Sequence, residues 1–321
     1  MLAHPAVLSL SHNFSREDLF LVVYCLVDDW MQRSYQSSNL PRKRRGPRKD
    51  ECADSEVLTI LLVGELCHCK RERAWLRQVR ASYSKLFPAL PEDSRFSRRA
   101  QGVREAQRHF RQALLSWADT DVEPVRLLDS FPMPLCACYR IRQSGQPISG
   151  SGFAYNSSKQ EYYFGLHPGV ILTESGFIED IILAPAHYSD VAWLEAYLDE
   201  CQEEGRDLAG QEWVMDKGFV SKPLTKRAKE LLDVTLLVRQ RDYKKKEDAP
   251  DFWQQLLDRV RKPIEGVISV LTDCFHIEHM LVRSDIGLYR RTQAKATAFS
   301  LARYFNAVLG ITPMNIARYA V

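Results

Sequence analysis

The chain has 321 residues, 45% hydrophobic and 26% charged, with a formal net charge of +3, which is the composition of an ordinary soluble globular protein with material for one large or two medium cores. Its longest uninterrupted apolar run, Leu19 to Val27, falls well short of the roughly 20 residues a membrane-spanning helix needs. The first residues also lack the basic region of a signal peptide, so no membrane partner and a cytoplasmic location are expected.

The charge is unevenly spread. Residues 1–120 carry 20 Lys/Arg against 14 Asp/Glu, and the remainder 24 against 27, as for an anion-binding part joined to one rich in carboxylates. Eight cysteines are scattered, and the spacing of Cys67/Cys69 and Cys136/Cys138 is closer than the usual Cys-x2-Cys of zinc sites. Reduced thiols packed as small hydrophobes are expected.

Taken in order, residues 15–38 read as a helix with Ser15 as N-cap and apolar residues at helical spacing. Pro41 to Lys49 follows, with six basic residues, Arg42, Lys43, Arg44, Arg45, Arg48 and Lys49, among two prolines and a glycine. Such a stretch is a solvated linker, a DNA-phosphate arm, or both. Asp54 is expected to cap a strongly apolar helix from Glu56 to Cys67 at the centre of the N-terminal core. Residues 70–111 are striped with arginine, which suits short helices with a basic exposed face. No helix-turn-helix unit stands out.

From about residue 121 strands dominate. Val125 to Asp129 is an apolar run ending in a carboxylate, and Pro132 stops it. Cys136–Ile141 and Gly152–Tyr155 read as short strands. Glu161–Leu172 and Gly176–Leu183 read as longer ones joined by a turn at 173–176. Ser189 caps a helix from Asp190 to Cys201. A second apolar run, Glu212 to Met215, then ends in Asp216 with a Lys217-Gly218 turn. A helix 221–232, a short strand 234–238, a polar loop 239–249 and helices at about 251–272 and 293–309 complete the chain, with Gly310 as a stop. The pattern is mixed α/β after a mainly helical first part, dividing at 120/121.

Two strand-end aspartates invite a third carboxylate. Glu265 lies in Arg261-Lys-Pro-Ile-Glu265, where Pro263 fits the first position of a helix and so places Glu265 in its first turn. Three acidic oxygen donors would suit hard cations such as magnesium, and two ions can serve an in-line phosphoryl displacement. Singly, each residue also has a plain structural reading as a turn or helix-end carboxylate.

The segments Leu128-Asp-Ser-Phe-Pro-Met-Pro134, Trp213-Val-Met-Asp-Lys-Gly-Phe219 and Arg261-Lys-Pro-Ile-Glu265 resemble the three acidic motifs of insertion-sequence DDE transposases. Lys159–His167 and the His187-Tyr-Ser-Asp190 segment resemble the family's stretch before the second aspartate, and the likeness spans most of residues 52–309. The resemblance implies a ribonuclease H-like mixed sheet flanked by helices, with 121–321 catalytic and 1–120 DNA-binding. It implies Asp129, Asp216 and Glu265 as ligands of two magnesium ions, with manganese as a substitute. Its partner is double-stranded DNA at element ends and target, bridged by a homodimer, on the nucleoid when bound. Water would cut the element end to a 3′-hydroxyl, which would then attack target DNA. Arg261 is a candidate for contacting DNA phosphate or orienting the glutamate, Lys217 is a further candidate DNA contact, and His167, His187 and Asp190 are assigned roles that are structural or that support the metal ligands. Many relatives carry Lys or Arg seven positions after the glutamate, where this chain has Thr272. A two-metal nuclease that never joins, and a non-catalytic transposase-derived DNA-binding protein, are the alternatives.

Overall fold

The computed structural model describes residues 3–10, 14–36, 52–136, 148–156, 159–238, 252–282 and 284–320, with the side chains of Cys136 and 252–261 excepted. The basic stretch holding Arg42, Lys43, Arg44, Arg45, Arg48 and Lys49, the loop 239–249, and residues 137–141 of an expected strand lie outside the described residues. By contacts the chain forms two compact units, one of Met1–Asp119 with Val270–Val321 and the other of Thr120–Ser269. These units differ from the division by sequence texture at 120/121, because the last helices pack among the first ones.

The first unit is helical: α1 (Pro5–Leu8), α2 (Arg16–Gln36), α3 (Asp54–Leu66), α4 (Glu72–Ser82), α5 (Asp93–Gly102) and α6 (Arg104–Trp117). Ser15 starts α2 as expected, accepting the Asp18 N–H at 3.2 Å while the Asp18 carboxylate takes the Ser15 N–H at 2.8 Å. Asp54 is not the cap of α3. Ala53 holds that position, its N–H bound by Glu56, and Asp54 instead accepts from Arg99 at 2.9 Å. Helix α3 is buried on every side, the mark of a central core helix.

The expected basic face is smaller than its arginine count. Arg71, Arg73, Arg77, Arg95 and Arg98 are exposed, but Arg80 pairs with Asp93 at 2.7 Å. Arg111 is fully buried and donates to Gln293 at 2.6 Å.

The second unit holds all the strands of the described residues: β1 (Val125–Ser130), β2 (Met133–Cys136), β3 (Gly152–Asn156), β4 (Glu161–Leu166), β5 (Gly169–Thr173), β6 (Ile178–Ile182), β7 (Glu212–Met215) and β8 (Thr235–Val238). The main sheet runs β6-β5-β1-β7-β8, and a small sheet runs β2-β4-β3. Strand β1 is antiparallel to β5 and parallel to β7, which is parallel to β8. Together with the helical N-terminal region, this mixed sheet flanked by helices is the ribonuclease H-like class that the motifs implied.

The stretch 161–172 is not one strand. It breaks at His167-Pro168 into β4 and β5, which belong to different sheets. Proline has no N–H for a ladder and restricts its predecessor, so a strand cannot run through it unchanged.

Helices α7 (Asp190–Glu203) and α8 (Lys222–Leu232) cover one face of the main sheet. Trp193, Leu194, Tyr197, Leu198, Leu224 and Ala228 pack there on Leu128, Ile171, Trp213, Met215 and Leu236. Rings Trp193, Tyr197 and Trp213 stack in series at 5.3 and 5.4 Å. The alternate strand residues Leu127, Val170, Leu172 and Val214 are buried too, as in sheets enclosed on both faces.

Helix α9 (Phe252–Asp273) follows β8, and α10 (Asp285–Val308) belongs to the helical unit. Helix α10 starts well before residue 293 because Ser284 caps it, accepting the Gly287 N–H at 3.2 Å. Pro263 lies inside α9, so Glu265 is not in a first turn. The helix extends through the proline, whose missing N–H leaves the Arg259 carbonyl without its usual partner in the helical ladder. Among the described residues no helix is long and apolar enough to cross a membrane.

Candidate active site

Strand β1 carries Asp129 near its C-terminal end, and β7 delivers Asp216 immediately after its own. The two strands are parallel, with Val125 opposite Glu212 and Leu128 opposite Met215. One step further along the same register sets Asp129 opposite Asp216. Neighbouring strands lie about 4.8 Å apart, so the two carboxylates share one sheet edge. Apolar runs of strand length produce this placement: Leu127, Leu128, Val214 and Met215 are buried, and the next residue of each strand emerges half-buried.

Each aspartate is anchored in the same way. Asp129 Oδ1 accepts the Ser130 N–H at 2.9 Å, and Asp216 Oδ1 accepts the Lys217 N–H at 2.6 Å. A short 3₁₀ turn, Lys217–Phe219, follows Asp216 and buries Phe219. The Lys217 side chain is exposed.

Asp190 stands at the same edge. It opens α7, whose N-cap Ser189 accepts the Ala192 N–H at 3.3 Å. Its Oδ1 accepts the Ser130 hydroxyl at 2.5 Å and lies 3.9 Å from His167 Nε2. His167 Nδ1 meets the Tyr188 carbonyl at 3.0 Å, and since a carbonyl only accepts, Nδ1 carries the proton. His187 is exposed, its ring against Tyr188. Sequence patterning placed Asp190 at a helix start, and the family likeness gave it a supporting role without naming its partners. Its contact with Ser130, 60 residues away, has no local signal.

Glu265 is exposed on α9, while Ile264, Val267 and Leu271 are buried. Among the described residues no three His, Cys, Asp or Glu side chains stand together closely enough to hold a metal ion. The structure therefore joins Asp129 with Asp216 on one edge and does not gather Glu265 into a trio with them. Arg261 lies on α9, and its side chain is outside the described residues.

The donor set at the strand ends is all carboxylate oxygen, without thiolate, and fits a hard divalent cation that keeps waters and takes further oxygens from substrate. Two carboxylates on adjacent strands repel each other without a counter-charge. Burial raises Cys52 to about 12 and Cys67 and Cys201 to about 11, so they remain thiols.

The sequence model of the transposase DDE domain matches residues 119–285. Among solved structures, the chain is similar to the piggyBac transposase in its synaptic complex with hairpin DNA. That likeness has a TM-score of 0.45 and 10% identity over 96% of this chain and 79% of that one. No curated protein sequence matches.

Proposed function

The chain belongs to the transposase DDE-domain family, and from that premise we propose that it cuts DNA at the ends of a transposable element and joins those ends to target DNA. The observation that carries this reading is the register of β1 on β7, which puts Asp129 and Asp216 side by side on one edge.

In this reading Asp129 and Asp216 would hold the divalent ions from the strand ends, and Glu265 on α9 is assigned as the third carboxylate. Two magnesium ions, replaceable by manganese, supply Lewis acidity for the attacking and leaving oxygens of an in-line displacement. The protein's part is placement. The N–H groups of Ser130 and Lys217 hold the two carboxylates at fixed angles, and pre-set geometry spares the entropy of assembling reactants.

Hydrolysis breaks the phosphodiester at the element end and leaves a 3′-hydroxyl. In the second step that hydroxyl attacks a target phosphodiester, forming the new P–O bond as the target's own 3′ oxygen leaves. No bond between protein and DNA is needed in either step.

Lys217 and Arg261 are assigned to phosphate contacts, and Arg42, Lys43, Arg44, Arg45, Arg48 and Lys49 to a backbone-binding arm, which neutralises phosphate without reading sequence. A homodimer bridging two element ends completes the reading. The experiment is a magnesium-dependent assay on DNA flanking the encoding gene, with intact and pre-cut ends. Cleavage followed by strand transfer from pre-cut ends supports it. Cleavage without any transfer would make the protein a nuclease, and ion-independent DNA binding alone would make it non-catalytic.

A further inference from the structure

Asp190 touches both segments that carry the proposed catalytic aspartates. Its Oδ1 accepts the hydroxyl of Ser130, the residue after Asp129, at 2.5 Å. Its Oδ2 lies over Gly218, two residues after Asp216, so closely that a Cβ added there would stand 2.0 Å away. No other residue type fits at 218 while Asp190 keeps this position.

We propose that Asp190 is a positioning residue that sets the spacing of Asp129 and Asp216, an inference that rests on the function proposed above. Its own placement is rigid. Ser189 caps the helix it begins, and its carboxylate faces the favourable end of the helix dipole. Trp193, about one turn on, packs so tightly on Gly169 that a Cβ there would meet Trp193 Cζ2 at 1.9 Å. Trp193 also meets Phe219 edge-on at 6.2 Å. Gly169 pairs with Ser130 across the sheet, and Phe219 ends the turn after Asp216. The start of α7 is thus keyed to the ends of both strands, and Asp190 is the polar contact they share. His167 supports it, with Nε2 3.9 Å from Oδ1 and Nδ1–H held by the Tyr188 carbonyl.

A carboxylate that merely stabilised the helix start would affect α7 and leave the strand ends alone. Amide hydrogen exchange on the full chain separates the two roles through the Ser130 and Lys217 N–H groups, which report directly on Asp129 and Asp216. In Asp190→Ala, exchange at both amides is expected to accelerate about ten-fold or more while β5, β7 and α7 keep their protection. Ser130→Ala removes the same hydrogen bond without altering the helix start, and serves where Asp190→Ala folds poorly.

Binding of Mn²⁺, followed by calorimetry, is expected to weaken about ten-fold or more in either variant. The double variant is expected to bind no more weakly than the worse single one, because one contact is removed twice. Unchanged exchange at either amide, acceleration spread evenly over α7 and the sheet, or additive losses of Mn²⁺ affinity would each overturn the proposal. If the unaltered protein binds no Mn²⁺ and cleaves no DNA, the proposed function fails, and the exchange data alone decide the role of Asp190.

Discussion

The core of the helical unit and the strand-end edge of the α/β unit use charge in opposite ways. In the helical unit Lys295 is almost completely buried, with Glu65 at 2.6 Å and the Phe275 carbonyl also at 2.6 Å. Arg291 approaches the same glutamate at 3.7 Å, and Arg290 pairs with Glu72 at 2.6 Å. There these three deep cations each face a carboxylate. At the sheet edge of the α/β unit, two carboxylates, Asp129 and Asp216, end adjacent parallel strands, and a third, Asp190, accepts from the serine that follows one of them. Buried opposite charges fix a core. Like charges held at a half-open edge are an arrangement that a fold does not need for itself, and it favours an incoming cation.

Breaking the buried pair sharpens this contrast most. Lys295→Ala leaves Glu65 deep in the helical unit with only the more distant Arg291, and is expected to cost about 3 kcal/mol in urea unfolding. Lys226→Ala, which removes an exposed ion pair to Glu230 on α8, is expected to change stability by no more than about 0.5 kcal/mol. Equal losses would mean that burial does not distinguish the two.

Gly169→Ala probes the α/β unit's packing. The new methyl must push Trp193 aside, and overpacking of this kind costs roughly 1–3 kcal/mol. The same unfolding measurement reads it, and a neutral result would show that the ring has room to move.

A smaller effect concerns pH. Folding holds the His276 imidazole down at about 4 from an ordinary 6.5, first through burial and then through Lys70, Lys295, His68 and His279. Burial lowers His68 in the same direction. Protons therefore bind the unfolded chain more readily, so the melting temperature is expected to hold above pH 6.5 and to fall as pH drops toward 4. His276→Asn tolerates the positive φ of 52° at this position and is expected to flatten part of that fall. An unaltered slope would remove His276 from the account.

The strand-end aspartates were legible in the sequence because a short apolar run followed by Asp and a turn breaker is a local pattern. Their mutual register was not, since it depends on pairing between residues 87 positions apart. Strand β5 was read as part of β4, because apolar character continues through Leu166-His167-Pro168 and only the proline marks the break. Pro263 was read as a helix start, its commonest helical position, whereas α9 runs through it. Asp190 was visible as the first residue of a helix and, through the family likeness, as a supporting residue, but not with its partners. Its role at the edge depends on Ser130 and Gly218, both remote in sequence.

The most direct test of the central claim compares the unaltered protein with Asp129→Asn and Asp216→Asn, measuring Mg²⁺-dependent cleavage and binding of element-end DNA in parallel. Each substitution keeps the side chain's shape and removes its charge. The account predicts a loss of cleavage of about a thousand-fold or more, equivalent to roughly 4 kcal/mol of transition-state stabilisation, with DNA binding largely intact. Full cleavage by either variant would contradict it.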